Sequence, residues 1–233
     1  MLSPRSAPPV RQAPSSSRVK LIRAGLALSV AAIVLLVLVA LSWSPLISFD
    51  RSISTTWHRW AVDAPGLVRF NRILSDWVWD PWTMRALIAV AFCWLWWRRE
   101  RLLAVWIAVT SATGTFLQQG VKAAVGRERP QWPDPVDSAH YAAFPSGHAL
   151  TATVTCGLLL WLLVRHGAGT RVWRWSLVAA VVSVIGVGLT RLFLGVHWPS
   201  DVLEGWLMGM AWVAFSITAY DRFMRSRQGS DAP

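Results

Sequence analysis

Charged side chains are scarce in this chain. Asp, Glu, Lys and Arg make up 15% of its 233 residues, while 54% are hydrophobic. An ordinary soluble domain carries about 25% charged residues, so this class is excluded. Acidic groups are the scarcer sign, with 12 Asp and Glu against 23 Lys and Arg. The net charge of +11 lies in tails and short loops. A nucleic-acid partner would call for a contiguous basic face or helix, so none is expected, and the excess reads as retention of loops on the cytoplasmic side. Cysteine is nearly absent. Cys93 and Cys156 each lie inside an apolar run and offer neither a disulfide framework nor metal-ligand spacing.

Trp is abundant, with 17 residues. Its amphipathic ring favours the membrane–water interface. The run 24–43 is long enough to span a bilayer, since about 20 helical residues cover about 30 Å. It is long for a signal peptide, and no clear small-x-small cleavage site follows it. Further spans are expected near 82–97, 102–121, 147–164, 174–190 and 200–219. The expected fold is therefore all-α, a bundle of six transmembrane helices. Residues 1–20, rich in Pro, Ser and Arg, read as a disordered tail. Residues 21–220 form the membrane domain, in which the Trp-rich segment 44–81 reads as interfacial helices. Residues 221–233 form a second tail.

Basic residues set the orientation. They gather in the N-terminal tail (Arg5, Arg11, Arg18, Lys20, Arg23), after span two (Arg98, Arg99, Arg101), after span four (Arg165, Arg171, Arg174) and in the C-terminal tail (Arg222, Arg225, Arg227). With an even number of spans all four groups share one face, which the positive-inside rule makes cytoplasmic. Both termini are then cytoplasmic in a multi-pass plasma-membrane protein. The same count puts 122–146 and 191–199 on the outer face, and with them every polar cluster that interrupts the apolar runs. Polar groups at membrane depth are expensive, and by default they mark function.

The clusters have distinct chemistry. Pro199 suits the first position of a helix, which places Asp201 in the first turn, where the helix dipole favours a carboxylate. Asp201 can then reach one nitrogen of His197, fixing its tautomer and raising the nucleophilicity of the other nitrogen. The simpler alternative is a helix-terminal charge effect beside an interfacial histidine. Ser146 is a plausible N-cap before His148, and Gly147 lets the backbone approach an anion closely at the helix end. An ordinary capped helix start also explains Ser146 and Gly147, but not His148. Lys122, Arg129 and Arg191 suit phosphate binding; the competing reading is positive flanking of spans. Arg127 and Glu128 read as solvated neighbours. Asp201, Gly205 and Gly209 share a helix face that the glycines fit for close packing. Glu204 reads equally as support for the site or as a surface group. Gln118 lies one turn before Lys122 and could line the same pocket, whereas His58, His140 and His166 have no comparable setting.

These residues are arranged as Lys122-x6-Arg129-Pro130, Pro145-Ser146-Gly147-His148 and Thr190-Arg191-x5-His197-x3-Asp201. The pattern resembles the type 2 phosphatidic acid phosphatase superfamily, with Thr190 in place of the usual serine. All three motifs in order are expected by chance in fewer than about one chain in a million. The resemblance implies a membrane lipid phosphatase that uses neither a metal nor a cofactor. His197 would attack phosphorus, His148 would act as acid and then base, and Asp201 would orient His197. Lys122, Arg129, Arg191, Ser146 and the Gly147 backbone would hold the phosphate oxygens. Candidate substrates are phosphatidic acid, phosphatidylglycerol phosphate and a polyprenyl diphosphate such as undecaprenyl diphosphate. A phosphotransferase using the same phosphohistidine is an alternative. So is a lipid-binding or transport protein on this scaffold, although such a protein has no need of both histidines. No motif bears on the oligomeric state.

Overall fold

A computed structural model describes residues 15–230, and every regular element among them is helical. The helices are α1 (Ser15–Ala40), α2 (Ser44–Val62), α3 (Pro65–Ile73), α4 (Pro81–Trp97), α5 (Arg101–Val125), α6 (Gly147–Arg165), α7 (Thr170–Phe193) and α8 (Pro199–Ser230); a π-helical turn, Leu74–Val78, joins α3 to the segment before α4. Four of the described helices, α1, α6, α7 and α8, are long and apolar enough to cross a membrane. Helices α4 and α5 stand where the second and third spans were expected.

The starts and stops follow local chemistry. Asp80 caps α4 by accepting the Trp82 N–H at 2.7 Å, with Pro81 at the first position. Helix α5 stops at Gly126, whose φ of +60° suits glycine and whose N–H returns to the Lys122 carbonyl. Helix α7 ends before Gly195, at φ +69°. There the Gly195 carbonyl accepts the Trp132 indole N–H at 2.9 Å.

Lipid offers no hydrophobic drive between helices, so close packing must hold the bundle. Ile88, Leu95, Leu103, Ile107, Leu150 and Leu158 form the centre of a core shared by α4, α5, α6 and α8. Along α8, Gly205 and Gly209 lie against α6. A Cβ on Gly205 would come within 2.7 Å of the Ser146 carbonyl oxygen, and one on Gly209 within 2.8 Å of the Thr153 Cβ. The shared glycine face therefore does what its spacing suggested. Large apolar side chains point outward instead: Val30, Ile33 and Val34 on α1, and Val178, Val182 and Ile185 on α7.

Residues 1–14 lie outside the described residues, and α1 begins at Ser15, within the expected tail 1–20, because after Pro14 nothing in the sequence breaks a helix. Helix α8 runs on through 221–230 to Ser230. Asp221 pairs with Arg165 at 3.8 Å, and Tyr220 packs edge-on against Trp106 and Trp161, so this turn has partners that favour continued helix. Residues 231–233 lie outside the described residues.

Candidate active site

The start of α4, the end of α5, the start of α6, the end of α7 and the start of α8 meet at one end of the bundle. They enclose a cavity of about 230 Å³ whose wall includes Lys122, Arg129, Gly147, His148, Arg191 and His197. Three separate stretches of sequence thus converge on one space.

His197 sits in the short loop between α7 and α8 and is 2% exposed. Its Nδ1 lies 3.2 Å from Asp201 Oδ2, and its Nε2 lies 3.2 Å from Arg129 Nη1. An ionised carboxylate only accepts and a guanidinium only donates. Both neighbours therefore select the same tautomer, with the proton on Nδ1 and a lone pair on Nε2. Burial, followed by the charges of Arg129, Arg191 and Lys122, holds the His197 pKa well below its ordinary value, which keeps the ring neutral. Asp201 is fully buried, and its Oδ2 also accepts the Trp198 N–H at 2.8 Å.

The cations are held in different ways. Arg129 donates to the carbonyls of Tyr141 (2.9 Å), Val196 (2.5 Å), His140 (3.2 Å) and Ala142 (3.4 Å), pinning the loop before α6 to the His197 loop. Arg191 is buried and donates from Nη1 to Ser75 Oγ at 2.7 Å, while its buried Nε has no protein partner. A buried guanidinium N–H without an acceptor is costly.

Ser146 is buried and caps α6, its Oγ accepting the Ala149 N–H at 3.5 Å. That role uses a lone pair and leaves the hydroxyl proton available to an anion, while its N–H donates to the Asp201 carbonyl at 2.9 Å. This bond joins the start of α6 to the start of α8. Gln118 lines the cavity and donates to the Pro145 carbonyl at 3.0 Å. His140 also reaches the wall, as does Arg85, which sequence reasoning had passed over. His166 lies at the other end of the bundle against Glu100. Glu204 is 1% exposed, with Oε2 unpartnered, so it is a buried group and not a surface one.

Arg127 requires a correction. Read as solvated, it instead bridges two buried carboxylates, donating to Asp201 Oδ1 at 2.6 Å and to Asp50 Oδ2 at 2.7 Å. Asp50, on α2, is fully buried. No local signal marks either residue, because the contact joins positions 77 apart in the chain.

Comparison with known proteins bears on family and fold. A sequence model of the PAP2 superfamily matches residues 103–225. An undecaprenyl-diphosphatase of Sulfolobus acidocaldarius is 27% identical over 158 residues; the match spans 64% of this chain and 66%, just under two thirds, of that protein. A decaprenylphosphoryl-5-phosphoribose phosphatase of Mycobacterium tuberculosis is 34% identical over 64% of this chain and 77% of its own length. In fold, the chain is similar to the crystal structure of a transmembrane PAP2-type phosphatidylglycerolphosphate phosphatase from Bacillus subtilis, with a TM-score of 0.74, 22% identity, and coverage of 85% of this chain and 96% of that one. With its three motifs gathered on one cavity and the family match running through all of them, the chain belongs to the PAP2 superfamily.

Proposed function

We propose that the protein is an integral-membrane phosphatase of phosphorylated lipids, working through a phosphohistidine and without a metal. One observation carries this reading: His197, held at Nδ1 by Asp201, lines a cavity whose wall also carries Lys122, Arg129, Arg191 and His148. In the first step Nε2 attacks phosphorus, the P–O bond to the lipid breaks, and His148 gives its proton to the departing oxygen. In the second, His148 takes a proton from water, the water oxygen attacks phosphorus, and the P–N bond breaks to release phosphate. An imidazole suits both proton transfers because one ring nitrogen can give a proton and the same nitrogen can take one back. The three cations stabilise charge on the phosphoryl oxygens. Asp201 orients His197 and offsets the positive charge on the ring after attack. Gly147 supplies backbone N–H at the start of α6, and Ser146, its cap, donates its hydroxyl proton to a phosphate oxygen.

The substrate class follows from the cavity and the relatives. A space of about 230 Å³ takes a phosphate or diphosphate and leaves the lipid tail in the bilayer. Relatives named for polyprenyl diphosphate and decaprenylphosphoryl substrates favour a polyprenyl phosphate or diphosphate, with phosphatidic acid and phosphatidylglycerol phosphate next. The topology that fits is six spans, with α4 and α5 joining the four longest apolar helices. Both termini are cytoplasmic, α2 and α3 lie at the outer interface, and the cavity opens outward.

The test is phosphate release from each candidate lipid by the purified protein in detergent with EDTA. We expect turnover to persist in EDTA and to disappear in His197→Ala. A radiolabelled phosphoenzyme should be acid-labile, as a P–N bond is. Unchanged turnover in His197→Ala would falsify the nucleophile assignment.

A further inference from the structure

Behind the candidate nucleophile lies a second layer of charge that the phosphatase reading does not use. Asp50 belongs to α2, outside the span of the family match, and yet it is fully buried. Its Oδ1 accepts the Ser200 N–H at 3.0 Å, and its Oδ2 accepts the Ser200 hydroxyl at 2.5 Å as well as Arg127 Nη2 at 2.7 Å. Arg127 Nη1 reaches both Ser200 Oγ and Asp201 Oδ1 at 2.6 Å. Asp50, Arg127 and Ser200 do not line the cavity.

We propose that Asp50 and Arg127 are positioning residues for the nucleophile: the Asp50–Arg127–Ser200 cluster fixes the Asp201 carboxylate so that Oδ2 stays on His197 Nδ1. The geometry assigns each oxygen of Asp201. Oδ1 is taken by the Arg127 fork, which leaves Oδ2 to the imidazole and the Trp198 N–H. Rotation of the carboxylate would break the Arg127 bond, and a guanidinium holds such a bond in a fixed plane. Charge matters as much as direction. Arg127 facing Asp201 alone would cancel its charge, whereas Asp50 on the other side of Arg127 leaves the cluster with one net negative charge. That charge is what stabilises the imidazole when Nε2 is phosphorylated and the ring becomes cationic. A segment remote in sequence thus acts on phosphorus through three intermediaries, Arg127, Asp201 and His197.

The proposal rests on the phosphatase reading for its kinetic consequence, and it also has a consequence that needs no turnover. Asp50→Asn keeps the shape and removes the charge. Groups that orient a working imidazole from behind are typically worth roughly 10- to 100-fold. We expect Asp50→Asn to lower kcat by about that factor with KM within about twofold. In an Asp201→Asn background the same change should cost nothing further, because its route to the reaction is already cut. Asp63→Asn, at the exposed end of the same helix, should match the wild type. Nitrogen-15 histidine spectra of the detergent-solubilised protein, with the His197 signal assigned by its loss in His197→Ala, should show the Nδ1–H tautomer in the wild type and a tautomer mixture in Asp50→Asn. If Asp50→Asn does not fold, Ser200→Ala, which removes only the hydroxyl linking Asp50 to Arg127, should give the same spectral change in smaller degree. Wild-type kcat with an unchanged tautomer, or a loss that multiplies that of Asp201→Asn, overturns the positioning role. An inactive wild type whose tautomer still shifts in Asp50→Asn overturns the phosphatase reading and leaves the positioning role standing.

Discussion

His197 is a base kept neutral by its surroundings, and this has a consequence for stability as well as reactivity. Burial and three neighbouring cations hold its folded pKa well below 6.5, while the unfolded chain returns it to about 6.5. Below pH 6.5 the unfolded state therefore binds a proton that the folded state does not. The stabilisation is fully present above that value and is lost as pH falls towards the folded pKa. Denaturation in detergent should show the wild type losing roughly 1 kcal/mol more than His197→Gln between pH 6 and pH 5; equal slopes would mean that the ring is already charged in the fold. At this scale much of the site was legible, because Lys122, Arg129, His148, Arg191 and His197 occur in spaced motifs at the ends of apolar runs. Arg127 was not. An arginine beside a glutamate in a polar loop carries no local sign of burial, and its partner Asp50 is a single carboxylate in a segment that reads as surface. Ser146 was legible as a cap, and its Oγ accepts the Ala149 N–H as a cap does.

Among the elements, the contact between α6 and α8 bears most directly on the site. Gly205 lies against the backbone of the turn that carries Ser146 and His148. Gly205→Ala would press a methyl group into the Ser146 carbonyl oxygen and the Leu150 N–H, 2.7 and 3.1 Å from the new carbon. Overpacking of this kind costs about 1–3 kcal/mol, so a lower melting temperature and reduced phosphate release are expected together. Gly120 on α5 has nothing within 4 Å of its Cβ position, and Gly120→Ala should raise stability through helix propensity, by up to about 1 kcal/mol. A Gly205→Ala protein as stable and active as the wild type would show that α8 can shift without disturbing the site. The spacing of Asp201, Gly205 and Gly209 made this contact readable in advance. The extent of α8 was not readable, because its last turns are held by Arg165 and by the rings of Trp106 and Trp161, all distant in the chain.

For the whole molecule, the decisive property is which side of the membrane the cavity faces. A cysteine at Ser138, in the exposed loop before α6, should react with an impermeant thiol reagent in intact cells. A cysteine at Gly169, in the turn at the opposite end of the bundle, should react only after lysis. The reverse pattern would invert the topology. Both measurements are made with Cys93 and Cys156 replaced. The bundle also contains its own measure of depth. Asp201 stands in the first turn of α8, and Asp221 pairs with Arg165 twenty residues later on the same unbroken helix. At 1.5 Å per residue that is about 30 Å, close to the thickness of a bilayer's hydrocarbon layer. One rod therefore sets the distance between the ion pair at one end of the bundle and the histidine at the other. A bilayer several ångströms thicker would draw the cavity beneath the headgroups, and one several ångströms thinner would lift it above them, so the depth at which this protein meets a phosphate is a length written into a single helix.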